Sequence, residues 1–156
     1  MRETVFNWLQ FELADRRCLD LFAGSGAFGF EALSRGAAEV CFVESNAAAV
    51  QAIAAALQEF GARGGRVAHE DVFSFLAHRS GSPFDVVFLD PPYAEQCLGR
   101  ACEALEKGGW LMPGAWIYLE DAAVRGEPTL PRGWTLLRSK KAGDVGYHLA
   151  RRQTTD

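Results

Sequence analysis

Two stretches of this chain place residues whose types and spacing suit chemistry on a planar amine next to a nucleotide. The first is Phe84-Asp85-Val86-Val87-Phe88-Leu89-Asp90-Pro91-Pro92-Tyr93. Its apolar, β-branched and aromatic run reads as a buried strand. Two successive prolines cannot donate ladder hydrogen bonds, so the strand must stop at Asp90. Asp90 then offers a free carboxylate, and Pro91 a carbonyl whose direction Pro92 helps to fix. Together they can accept from both protons of a planar NH2 group while Tyr93 lies against the attached ring. An ordinary Pro-Pro turn, with aspartate as turn former, accounts for the same residues equally well.

The second stretch is Ala23-Gly24-Ser25-Gly26-Ala27-Phe28-Gly29, set between a strand-like run and the helical pattern FGFEALSRGA. Gly24, Gly26 and Gly29 make GxGxxG, which allows a tight turn and close approach of backbone to a nucleotide. The pattern fits an NAD-binding unit as well as a loop for S-adenosylmethionine, and a ligand-free glycine turn has the same spelling. Asp20 tilts the choice: a carboxylate ahead of the glycines repels a pyrophosphate and suits the cationic or amine end of a ligand such as S-adenosylmethionine.

Two further acids fall at element ends. Glu44 closes the second strand roughly 20 residues beyond the glycine loop, where a carboxylate can grip ribose hydroxyls. Its alternative role is to cap the next helix, for which Asn46 is the better candidate. Asp71 can accept from an adenine amino group with the Val72 backbone near the ring, or cap the helix of FSFLAHR, and one residue can do both.

Positioning these groups requires alternating strands and helices. Strands are expected at residues 18–22, 39–44, 66–72, 84–89 and 115–120, and helices at 2–14, 28–37, 47–60, 73–79 and 94–107. Gly61 should end the third helix and Gly108-Gly109 the fifth. Residues 121–131 read as a loop that can border a substrate site, and strands within 133–152 form an antiparallel hairpin around Lys140-Lys141-Ala142-Gly143-Asp144. The expected fold is α/β: a three-layer αβα sandwich whose sheet is mostly parallel. Right-handed crossovers would bring Gly24 to Gly29, Glu44, Asp71 and Asp90 to Tyr93 to one sheet edge.

At 156 residues the chain fits one domain spanning 1–156, with residues 1–15 as an N-terminal helix. Cys18, Cys41, Cys97 and Cys102 make no CxxC pair, and His69 and His78 lack partners at metal spacing, so neither disulfides nor a metal site is expected. No apolar run approaches the ~20 residues of a membrane span, and the N-terminus has no signal-peptide pattern, which argues for a cytoplasmic protein. A net charge of −4 argues against coating nucleic acid through charge alone. Any such contact must be local, at Arg16-Arg17, Arg138 with Lys140-Lys141, or Arg151-Arg152. Each cluster is also an ordinary solvated face.

In order and spacing, DLFAGSGAFGFEAL, FVESN, EDV and VVFLDPPY resemble the class I S-adenosylmethionine-dependent methyltransferases. RETVFNWL with LDLFAGSGAFGFEALSRGA is similar more narrowly to the bacterial RsmD family, whose members methylate N2 of a guanine in 16S ribosomal RNA, and the likeness extends through the hairpin GDVGYHLARR. The resemblance implies a Rossmann-like sheet and S-adenosylmethionine as cofactor, with S-adenosylhomocysteine as product. It implies Asp20, Phe22, Ala23, Gly24, Ser25, Gly26, Glu44, Ser45, Asp71, Val72 and Asp90 as cofactor contacts, and Asp90, Pro91, Pro92 and Tyr93 as the catalytic corner. It also implies a monomer acting on 16S ribosomal RNA within a small-subunit assembly particle. The family ordinarily carries a basic segment ahead of the RET helix, absent here, so weaker autonomous RNA binding is expected. DPPY is shared with DNA adenine-N6 and cytosine-N4 methylases. A DNA amino-methyltransferase, an NAD-dependent oxidoreductase and a non-catalytic nucleotide- or RNA-binding module therefore stand as alternatives.

Overall fold

The computed structural model describes residues 1–78, 81–93 and 96–154. Seven strands form one sheet in the order β3-β2-β1-β4-β5-β7-β6. They are β1 (Arg17–Leu21), β2 (Glu39–Glu44), β3 (Gly65–His69), β4 (Phe84–Leu89), β5 (Leu111–Ala122), β6 (Trp134–Ala142) and β7 (Val145–Arg152). The pairs from β3 through β5 are parallel, and β7 runs antiparallel to both β5 and β6.

Helices α1 (Arg2–Trp8), α2 (Ala27–Ser34) and α3 (Ala47–Glu59) cover one face, and α4 (Val72–Ala77) and α5 (Leu98–Lys107) the other. Each face buries its own core: Phe6, Ala32 and Ile53 pack with Phe42 and Phe88, while Leu76, Cys102 and Leu105 pack with Val87 and Ile117. The expected three-layer sandwich is therefore the observed one. All four cysteines are buried. Burial pushes the Cys18 and Cys102 thiols up to about 12, which makes them inert. No helix among the described residues is long and apolar enough to cross a membrane.

Several boundaries differ from the sequence reading. The first helix stops at Trp8 rather than running to residue 14, because tighter turns replace it: Glu12 N–H donates to the Leu9 carbonyl and Arg16 N–H to that of Leu13. Leu9 and Leu13 stay buried all the same, so their helical spacing was set by a wrapped turn. Strand β3 ends at His69, since Asp71 turns outward to cap α4 through the Phe73 and Ser74 N–H groups. The fifth helix begins at Leu98, and residues 94 and 95 of its expected start lie outside the described residues. Strand β5 starts earlier than expected, at Leu111, and the hairpin strands reach almost to a Gly143-Asp144 turn.

One contact fixes how closely α2 lies on the sheet. A Cβ on Gly29 would sit 2.2 Å from Cε2 of Phe42, a fully buried ring. In an exposed helix Gly→Ala stabilises by about 0.5–1 kcal/mol; here overpacking costs about 1–3 kcal/mol. Gly29→Ala should therefore lower the thermal midpoint by several degrees in a calorimetric scan. A raised midpoint would show that α2 lifts freely from the sheet.

Candidate active site

The strand order reverses at β1, which lies between β2 and β4, so β1 and β4 leave a crevice at their C-terminal ends. Leu21 pairs with Val43 on one side and Leu89 on the other, and Leu89 pairs with Leu119. The residues that follow these partners, Phe22, Glu44, Asp90 and Glu120, therefore stand in a row along one edge. The glycine turn and the proline-locked acid are neighbours there, although 66 positions separate Gly24 from Asp90.

Phe22 leaves β1 with φ 59°, a left-handed conformation that a bulky side chain rarely adopts, and Gly24 and Gly26 follow at φ 56° and 81°. Strain of about 1–3 kcal/mol at Phe22 persists because its neighbours hold it. Glu44 is one of them: its Oε1 accepts from Gly24 N–H at 2.7 Å and its Oε2 from Asn46 N–H at 2.8 Å. Asn46 caps α3 by accepting from Ala49 N–H. Asp71 uses one oxygen, Oδ2, for both capping bonds of α4, which leaves the other free. A carboxylate has about four acceptor sites, so both acids keep capacity for a ligand.

A cavity of about 490 Å³ opens between these elements, a size that suits a nucleoside-like molecule. Phe22, Glu44, Ser45, Asp71 and Val72 line one part, and Asp90, Pro91, Pro92 and Tyr93 the other. Ala23, Gly24, Ser25 and Gly26 border the turn but do not line this space. Asp20, expected against a ligand amine, is not among the residues that line the cavity. It is 2% exposed beneath the loop, and its Oδ2 accepts from Gly29 N–H at 3.1 Å. Burial, with Asp90 and Glu44 nearby, holds its carboxyl well above the usual range, and the Gly29 bond braces the start of α2.

An acid that the sequence reading did not single out stands beside Asp90 and Tyr93. Glu120, 3% exposed at the end region of β5, accepts from Tyr93 Oη at 2.5 Å and from Tyr118 Oη at 2.7 Å. Burial and then Glu120 raise both phenols above their ordinary range, so both remain protonated donors. Burial first, then the charge and hydrogen bonding of Glu120, push Asp90 up to about 7. The signal in the sequence was an acid near the end of the fifth strand, at the same edge as Glu44 and Asp90. Elsewhere, His69 Nε2 lies 3.0 Å from the Ser45 carbonyl and His78 pairs with Glu70. Among the described residues no cluster of His, Cys, Asp and Glu could hold a metal ion.

The family model described as "Conserved hypothetical protein 95" matches residues 1–151. The chain belongs to that family. A curated relative from Escherichia coli, ribosomal RNA small subunit methyltransferase D, is 44% identical over 153 residues, covering 98% of this chain and 77% of its own length. The protein of the same name from Haemophilus influenzae is 40% identical over 157 residues, covering 96% and 78%. Among solved structures, the Escherichia coli yhhF protein superposes with a TM-score of 0.94 at 44% identity, over 99% of this chain and 86% of that one. With this RsmD family assigned, the chain is a methyltransferase with a class I sheet.

Proposed function

We propose that this methyltransferase transfers a methyl group from S-adenosylmethionine to the exocyclic N2 of a guanine in 16S ribosomal RNA. The observation that carries the reading is the shared cavity: acids suited to a nucleoside and an amine-binding corner open on the same space. The residues present fit the cofactor, with Phe22 and Val72 as apolar walls, Asp71 toward an adenine amino group and Glu44 and Ser45 toward ribose hydroxyls. Bound there, S-adenosylmethionine supplies an electrophilic methyl on sulfur.

The rest falls to the chain's own residues. Guanine N2 is a weak nucleophile because its lone pair is delocalised into the ring. Asp90 and the Pro91 carbonyl accept hydrogen bonds from its two N–H groups, favour pyramidalisation and aim the lone pair, and such bonds help only as far as they strengthen toward the transition state. Pro92 fixes the direction of that carbonyl. Tyr93 stacks on a base withdrawn from its helix or loop, worth about 1–3 kcal/mol. Arg138, Lys140 and Lys141 are exposed on β6, the edge strand two strands beyond β5, and offer local contacts to phosphates. The names of the relatives favour ribosomal RNA of the small subunit as substrate. We place the reaction on an assembling subunit in the cytoplasm, carried out by a monomer.

The test is nucleoside mass spectrometry after incubation with trideuteromethyl-labelled cofactor and either naked 16S RNA, small-subunit particles or duplex DNA. Label should enter N2-methylguanosine, and faster with particles. Label in N6-methyladenine or N4-methylcytosine would overturn the assignment in favour of a DNA-type amino-methyltransferase.

A further inference from the structure

We propose that Glu120 is a positioning residue for methyl transfer: clamped by two tyrosine hydroxyls, it fixes the Tyr93 ring and keeps Asp90 ready to take the proton displaced from the amino group. The proposal deepens the amine-methylation reading and rests on it for the identity of the proton donor.

The geometry is unusual for a carboxylate. Glu120 is 3% exposed, yet no ion pair joins it to a cation among the described residues. Its partners are Tyr93 Oη and Tyr118 Oη, one on each oxygen. Tyr118 is itself buried on β5, two residues away, so it anchors the carboxylate to the strand. Tyr93, which lines the cavity with Asp90, is held by the other oxygen. A core that needed only apolar packing would not keep an unpaired acid here, since burying one without a cation is costly.

Asp90 is the neighbour that gains. The groups facing it are Glu120 and Tyr118 on β5, Asp20 on β1 and Tyr93, while Glu44 and Asp121 act on Asp20 and Tyr93 in turn. Burial raises its proton affinity most, and among these groups it is Glu120 that adds to the rise, through its charge and hydrogen bonding, while the two phenols stay protonated and neutral. In the reaction the N2 lone pair forms the N–C bond while the C–S bond breaks and its electron pair stays on sulfur. The nitrogen then sheds one proton, which the Asp90 carboxylate accepts; the resulting carboxylic acid donates to Glu120 until solvent removes the proton. An aspartate in its ordinary range would accept this proton poorly near neutrality, whereas a base matched to the ambient pH accepts it well.

Glu120→Gln keeps the shape and removes the charge. In the parent, kcat should rise with pH through a midpoint near 7, as Asp90 loses its proton. In the variant that midpoint should fall by about one pH unit or more, and the plateau rate by about tenfold or more, with KM for S-adenosylmethionine little changed. Glu120→Asp, which restores the charge, should return the midpoint toward the parent value. A midpoint that stays put in Glu120→Gln would reduce Glu120 to a structural role and overturn the proposal. Carbon-13 carboxyl NMR of the unmodified chain gives a second reading that needs neither a folded variant nor an RNA substrate. Asp90 should titrate near 7; titration of Asp90 in the ordinary aspartate range overturns the assignment. An Asp90 titration near 7 that drops in Glu120→Gln, in a chain that fails to methylate RNA, would uphold the role of Glu120 and sink the substrate reading alone.

Discussion

Asp90→Ala is expected to lower methyl transfer by about three orders of magnitude, because one change removes both the acceptor that aims the amino group and the base that takes its proton. The fold should tolerate it. Asp90 sits among acids, and its carboxyl is raised because burial and Glu120 oppose its charge. Taking that charge away relieves Asp20 as well, whose own carboxyl Asp90 helps to raise. The binding of S-adenosylhomocysteine should stay within a few-fold of the parent, since Phe22, Glu44, Ser45, Asp71 and Val72 line the other part of the cavity. Initial rates at saturating cofactor, paired with titration calorimetry, separate the two effects. Turnover close to that of the parent would remove Asp90 from the chemistry.

Glu44→Ala should do the reverse and strike binding first. Glu44 joins two elements: one oxygen receives Gly24 N–H from the glycine turn and the other Asn46 N–H at the start of α3. Truncation leaves both donors without their acceptor and deletes the proposed ribose contact. A charged hydrogen bond is worth about 1.5–3 kcal/mol, so a net loss of about 2–3 kcal/mol, roughly 30- to 150-fold in Kd for S-adenosylhomocysteine, is expected. Glu44→Gln keeps one acceptor oxygen and should lose less. An affinity unchanged in Glu44→Ala would confine Glu44 to bracing the loop.

The legible part of this molecule was what local pattern controls. Alternating apolar strands and amphipathic helices disclosed the layers, and Pro91-Pro92 disclosed where β4 stops. What stayed hidden depended on partners distant in sequence. Glu120 reads as a routine acid near the end of an apolar strand, and only the β4–β5 register and the tyrosines at 93 and 118 turn it into the clamp beside Asp90. Asp20 could be placed ahead of the glycines, but which side of β1 it faces is decided by α2 packing against the sheet, and that sends it under the loop to Gly29. Glu44 and Asp71 each drew two competing readings. The backbone-capping or bracing part of each is present, with acceptor capacity left over for a ligand. Leu9 and Leu13 misled because a wrapped turn can bury residues at helical spacing.

A crystal structure with S-adenosylhomocysteine bound tests most directly whether donor and acceptor corners serve one groove. The adenosine should lie between Phe22 and Val72, with ribose on Glu44 and the adenine amino group toward Asp71, and the sulfur should open toward Asp90 and the Pro91 carbonyl. A ligand seated elsewhere, or one whose sulfur faces away from Asp90, would contradict methyl transfer at this corner.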